Sequence, residues 1–129
     1  MKKTFSSLIT LAVLLAGGCA LVSPKTAEER VTERALERYD ALMAGNYVKA
    51  LRYTSAGYQA RTTPSLYSMK FGGSRGWDSV KVASAECEET RCDVTVHVRH
   101  RLQNTKNGYG RLTNKERWIL SDGEWWLYH

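Results

Sequence analysis

The side chains that could do chemistry here are few. Cys87 and Cys92 flank Glu88-Glu89-Thr90-Arg91, a spacing that sets them opposite each other across a short hairpin, within reach of a disulfide. Zinc is the rival ligand, but two thiolates with no nearby histidine do not complete a four-ligand site. His97 and His100 lie three apart on a predicted strand, so they point to opposite faces and make a poor chelate. Asp40, Asp78 and Asp93 are the aspartates available as acid or base before the last turn. Asp40 sits on a helix rich in surface charge, Asp93 alternates outward against Val94, and Asp78 precedes a strand. Solvated carboxylates are the expected reading, because such groups are rarely buried unpaired. Ser74 in Gly72-Gly73-Ser74-Arg75-Gly76 lacks the spacing of a nucleophile elbow and follows a helix instead of a strand. Neither a phosphate loop nor a dinucleotide fingerprint appears. The residues therefore indicate no cofactor, no metal and no catalytic set.

Aromatic and basic residues carry more information. Four Trp and seven Tyr are generous for a chain of 129 residues. Tyr39, Tyr53, Tyr58, Trp118 and Trp125 could line a cavity for a small molecule, or they could fill the core of a small sheet, the commoner use of such residues. Arg99, Arg101, Arg111 and Arg117 form a basic stripe with His97 on one face of the predicted sheet. That stripe is either a contact surface for a partner or lipid headgroups, or a solvated strand face.

The compartment is legible at the start of the chain. Lys2 and Lys3 precede the apolar run Leu8-Ile9-Thr10-Leu11-Ala12-Val13-Leu14-Leu15, which ends in Ala16-Gly17-Gly18. This is the pattern of a secretory signal, and it is too short for the roughly 20 apolar residues of a transmembrane helix. Cys19 follows at once. Leu15-Ala16-Gly17-Gly18-Cys19 resembles the lipobox of bacterial lipoproteins, with Leu four residues before the Cys and Ala in its usual place. The resemblance implies cleavage before Cys19 and acylation of its sulfur and new amine. More than one acyl chain is what stable anchoring requires. Ala20, in place of an Asp, resembles the class destined for the outer membrane. Residues 1–18 are thus expected to be a cleaved signal peptide, residues 19–25 a lipidated tether broken by Ser23-Pro24, and residues 26–129 one domain. An exported address also permits the Cys87–Cys92 disulfide.

Composition agrees with one globular domain: 43% hydrophobic, 25% charged, net charge +6. The mildly basic balance suits anionic surroundings. The basic residues are scattered, which argues against nucleic acid as a partner.

The domain splits by periodicity. Thr26-Ala27-Glu28-Glu29 is a capping box. Val31, Ala35, Leu42 and either Tyr39 or Leu36 then recur at helical spacing, and Gly45 supplies the stop. Asn46 caps a second short helix, and Pro64 opens a third that runs to about Lys70. From Trp77 the period becomes two. Strands are predicted up to Cys87, from Cys92 through Val98, and from Gly110 to Leu120. Asp122-Gly123 then turns into a last strand, so Leu120 faces Trp125 and Trp118 faces Leu127. With Cys87 opposite Cys92, Val80 and Val82 fall on the face of His97 instead of Val96, so either the first strand carries a bulge or both sheet faces are partly covered.

Helices followed by an antiparallel meander predict an α+β fold, with N-terminal helices packed on a curved sheet. The order resembles the NTF2-like family, a cone-shaped α+β unit. The carrying residues are the helix pair from Ala35-Leu36 to Leu51 with its Gly45-Asn46-Tyr47 break, and the closing hairpin from Trp118 to Trp126. Many members hold a pocket between helices and sheet, and some are steroid isomerases. The expected role is that of a lipid-anchored envelope protein facing the periplasm, held to the membrane by its lipid and binding another envelope component. A small-ligand binder, or an enzyme of the isomerase kind using the cone pocket, is the alternative.

Overall fold

The computed structural model describes Gly18 and residues 21–129; the signal-like run and Cys19 lie outside the described residues. Helix α1 (Ala27–Met43) begins with the predicted capping box: Thr26 Oγ1 accepts from the Glu29 amide at 3.1 Å, and the Thr26 amide donates to the Glu29 carboxylate at 2.8 Å. Val31, Ala35, Tyr39 and Leu42 form its buried stripe, so Tyr39 and not Leu36 takes the contested core position. Gly45, at φ +72°, ends the helix in a Schellman arrangement. Its amide donates to Leu42 O at 3.1 Å, and the Asn46 amide donates to Ala41 O at 2.8 Å.

Asn46 then caps α2 (Tyr47–Leu51) by accepting from the Lys49 amide. A single turn, α3 (Ala56–Gln59), follows without a clear sequence signal. Thr63 caps α4 (Pro64–Phe71), and a 3-10 turn over Gly72–Gly76 leads into the sheet.

Strands β1 (Trp77–Cys87), β2 (Arg91–Arg101), β3 (Tyr109–Ser121) and β4 (Glu124–Tyr128) form an antiparallel meander in the order β1-β2-β3-β4. The α+β expectation holds. The β1–β2 register is resolved by a bulge. Cys87 opposes Cys92 and Ala85 opposes Val94, but the pairing slips between Val82 and Ser84, leaving Ala83 unpaired. One extra residue flips the parity, so Val82 and Val80 come to face Val96 and Val98 on the core side.

The β3–β4 hairpin turns at Asp122 (φ +51°) and Gly123 (φ +77°), both in the left-handed conformation that a two-residue turn of this kind requires. It sets Leu120 against Trp125 and Trp118 against Leu127, as expected. Helix α1 covers this inner sheet face. Val31, Ala35, Tyr39 and Leu42 meet Val94, Val96, Val98, Trp118 and Leu127 in one buried cluster. The free edge of β4 is covered near its end, at Leu127: Leu127 N donates to Tyr53 O, and Ser55 N donates to Leu127 O, each at 2.8 Å.

Candidate functional site

Inside the cone the alternation of β3 places Glu116 on the core side, between Asn114 and Trp118. Its carboxylate has three partners. Arg38 Nη1 donates to Oε1 at 3.0 Å, the Tyr39 hydroxyl donates to the same oxygen at 2.8 Å, and Trp118 Nε1 donates to Oε2 at 3.1 Å. Asn114 closes the ring, its amide donating to the Tyr39 hydroxyl at 3.0 Å. On the other side Arg38 Nε donates to the Tyr67 hydroxyl at 2.9 Å. Arg38 is 1% exposed. Burial works most strongly against its charge, but the Glu116 carboxylate together with Tyr67 and Tyr39 outweighs it, and its pKa is raised. Burial first, and then Glu116, pushes the Tyr39 phenol well above its ordinary value; burial also raises that of Tyr67. Both phenols stay protonated and act as hydrogen-bond donors or acceptors, not as bases. A carboxylate already held by a guanidinium and two further donors is committed to the fold.

The remaining space in the cone is small. A cavity of about 300 Å³ opens beside Arg38, Tyr39, Lys70, Asn114 and His129. The His129 ring lies 4.2 Å from that of Tyr58, centre to centre. Its pKa is lowered to about 4 by partial burial, with the charges of Lys70 and Arg38 adding to the effect.

The five aromatic residues singled out from the sequence do not surround one open space. Trp118 and Trp125 fill the buried core, and Tyr39 is locked in the polar cluster at the cavity wall. Tyr53 stands at the β4 edge, where its hydroxyl donates to Glu37 at 2.9 Å and its ring lies under the Arg34 guanidinium. Tyr58 packs between Tyr67 and His129. Small sheets need large side chains to reach native packing density, and that demand takes the two tryptophans. Asp40, Asp78 and Asp93 are all exposed; Asp78 pairs with Arg99 at 3.3 Å and Asp93 with Arg117 at 3.2 Å. No cluster of metal-ligating side chains occurs among the described residues. Cys87 and Cys92 are joined in a disulfide that closes the β1–β2 hairpin.

Arg38 and Glu116 are the residues that sequence reasoning missed. Glu116 shares the parity of Trp118 and Leu120, which is the available signal that it points inward. Arg38 neighbours Tyr39 on the buried side of α1, where a charge is not expected without a partner.

The outer face of the sheet is different. It carries the predicted stripe of His97, Arg99, Arg101, Arg111 and Arg117, and adds Lys81 and Lys115. Arg99 lies 3.7 Å over the Tyr109 ring. Lys81, Arg101, Arg111 and Lys115 have no ion-pair partner among the described residues. At the β4 end this face becomes apolar. Ile119, Trp126 and Tyr128 form one wall of an open groove of about 750 Å³, and Ser55, Ala56, Gln59 and Ala60 of the α3 region form the other.

No protein-family profile matches the chain, and no curated protein sequence does. Solved structures share its fold at low identity. A SEC-C motif containing protein from Rhodopseudomonas palustris superposes with a TM-score of 0.58 at 13% identity, over 71% of this chain and 70% of that one. A second SEC-C motif protein, from Psychrobacter arcticus, gives 0.63 at 11% identity, over 82% of this chain and 62% of that one. A Campylobacter jejuni protein described as an NTF2-like transpeptidase gives 0.55 at 11% identity, over 75% of this chain and 96% of that one. These likenesses establish the α+β architecture. They carry no activity across, because function resides in sites and not in folds.

Proposed function

We propose that the chain is a lipid-anchored protein of the bacterial envelope, attached through Cys19, and that it acts by binding an anionic envelope component through the exposed face of its sheet. The observation that carries the binding role is the contrast between the two sheet faces. The inner face is filled by Trp118, Trp125 and Leu127 and sealed by the Arg38–Glu116 cluster. The outer face presents Lys81, Arg101, Arg111 and Lys115 without intramolecular partners among the described residues. Unpaired cations on a sheet face attract and orient an anionic partner. The lipobox-like Leu15-Ala16-Gly17-Gly18-Cys19 supports the anchor, and the Cys87–Cys92 bond is consistent with an oxidising compartment. No helix among the described residues is long and apolar enough to cross a membrane.

A second reading, a small-ligand carrier or isomerase-like enzyme in the cone, draws on the Tyr39 hydroxyl lying 2.8 Å from Glu116. The neutralising contact from Arg38 weighs against it, since a general base needs a free lone pair directed at the substrate. Charge reversal separates the two. Lys81→Glu with Arg111→Glu and Lys115→Glu, in the lipidated protein purified from its native envelope, should remove the copurifying anionic component and leave thermal stability unchanged. An unaltered set of copurifying molecules would contradict the proposal.

A further inference from the structure

We infer that the end of the β2–β3 hairpin docks on the surface of an anionic bilayer, with Arg101, Lys106 and Arg111 among the lipid phosphates and Leu102 and Tyr109 at the interface between them. The inference deepens the binding role proposed above: it names the anionic component, and it rests on that reading for the envelope setting.

The hairpin end carries charge of nearly one sign. No acid occurs from Val94 to Lys115, a stretch that contains Arg99, Arg101, Lys106 and Arg111. On the part of β1 that pairs with it, from Trp77 to Lys81, Asp78 is the one acid, and it is taken by Arg99 at 3.3 Å. Arg101, Lys106 and Arg111 pair with no acid among the described residues. Arg111 stands directly opposite Arg99, and like charges in that relation repel. An anionic surface relieves the repulsion, and each Lys or Arg held close to it strengthens attachment about fivefold. The three free cations lie on β2, in the loop and on β3, so they meet an array of anionic groups and do not converge on one small ion.

Apolar groups stand among these charges. Val98 is the last buried residue of β2, and beyond it Leu102, Tyr109 and Leu112 are 42%, 41% and 42% exposed. Aliphatic and tyrosine side chains set in a basic surface are what the headgroup region of a bilayer accommodates, and a soluble polyanion has no use for them. The Tyr109 ring lies 3.7 Å from the Arg99 guanidinium and 6.0 Å from that of Arg101, so aromatic body and cations form one unit. The loop is braced before any lipid arrives. Leu102 N donates to Gly108 O at 2.9 Å, and Gly108 N donates to Thr105 Oγ1 at 3.0 Å. A preformed loop loses little entropy on docking. Helix α1 runs between the two ends of the sheet: Arg30 in its first turn reaches Gly123 O, and Tyr39 lies 5.7 Å from Trp77, the partner of His100. Its 17 residues are about 25 Å long. Seven extended residues from Cys19 to Thr26 also reach about 25 Å, so the tether is long enough for an anchored domain to set this hairpin on the bilayer.

The test uses the full chain with Cys19→Ser, which has no acyl group of its own, and Gln103→Cys, which carries a nitrobenzoxadiazole dye in the exposed loop. Vesicles of phosphatidylcholine with phosphatidylglycerol should shift the dye emission to the blue, high salt should reverse the shift, and vesicles of phosphatidylcholine alone should produce none. Arg101→Gln with Lys106→Gln should raise the lipid concentration at half-response about tenfold or more. Leu102→Ser with Tyr109→Ser should abolish the blue shift. The same dye on Ala60→Cys, in the α3 region at the other end of the sheet, should stay silent. A silent dye at position 103, an equal response to neutral vesicles, or an equal response from position 60 would each overturn the inference. Binding of soluble polyphosphate without a response to vesicles would assign the cations to a soluble polyanion and overturn it as well. Loss of the copurifying component on charge reversal, together with a silent dye, would leave the sheet-face reading standing and remove the bilayer alone. A responsive dye with unaltered copurification would contradict that reading and keep the bilayer contact.

Discussion

Arg38 on α1 and Glu116 on β3 meet at 3.0 Å in the middle of the cone, with side chains 2% and 9% exposed. This ion pair ties the long helix to the sheet. Its partners on both sides, Tyr67 on Arg38 and Tyr39 and Trp118 on Glu116, leave neither charge alone. Arg38→Met strands the carboxylate. The variant should lose about 3–5 kcal/mol of stability, seen as a lower urea midpoint with an unchanged slope. Adding Glu116→Gln should restore part of that loss. Strict additivity of the two substitutions would show that the pair is not coupled.

The Cys87–Cys92 bond closes a loop with a sequence separation of only 5. Chain entropy for so short a loop gives about 2 kcal/mol. Cys87→Ala with Cys92→Ala should therefore fold but melt several degrees lower. Non-reducing peptide mapping of exported protein should find the two residues joined, and two free thiols would rule the bridge out.

His129 supplies a pH signature. Its pKa falls from the ordinary 6.5 to about 4, so the unfolded chain takes up the proton first as the pH drops. The stability this group contributes is complete above about pH 6.5, declines between 6.5 and 4, and is gone below. A ring-proton NMR titration should place the His129 midpoint well below the ordinary 6.5. Lys70→Gln should raise its value, and His129→Gln should flatten stability in that window. A titration midpoint near 6.5 would contradict the packing of His129 against Tyr58.

Much of the fold could be read in the sequence because its signals are local. Thr26 with Glu29, Gly45 with Asn46, Pro64, and Asp122 with Gly123 mark element ends through their own backbone chemistry. The alternation of Cys92, Val94, Val96 and Val98 marks a half-buried strand. The bulge at Ala83 was not decidable from β1 alone, because parity there depends on where β2 pairs. The single-turn helix Ala56–Gln59 is too short for a period to show, and so the groove it walls was invisible. The polar cluster was hidden for a related reason. Arg38 and Glu116 are 78 positions apart, and each alone reads as a solvated charge. Only the packing of α1 on the inner face of the sheet makes them one unit. Tyr39, Tyr53, Tyr58, Trp118 and Trp125 read in the sequence either as a cavity lining or as core, and tertiary packing spreads them over the core, the β4 edge and the cone mouth.

The most direct measurement is the intact mass and membrane fractionation of the protein made in its native host, alongside Cys19→Ala. The wild type should begin at Cys19, carry the added mass of acyl chains and sediment with the envelope, while Cys19→Ala should be released from it. Protein that begins at Met1 without added mass, or a Cys19→Ala variant that still sediments with membranes, would contradict the anchor and remove the compartment on which the proposed partners depend.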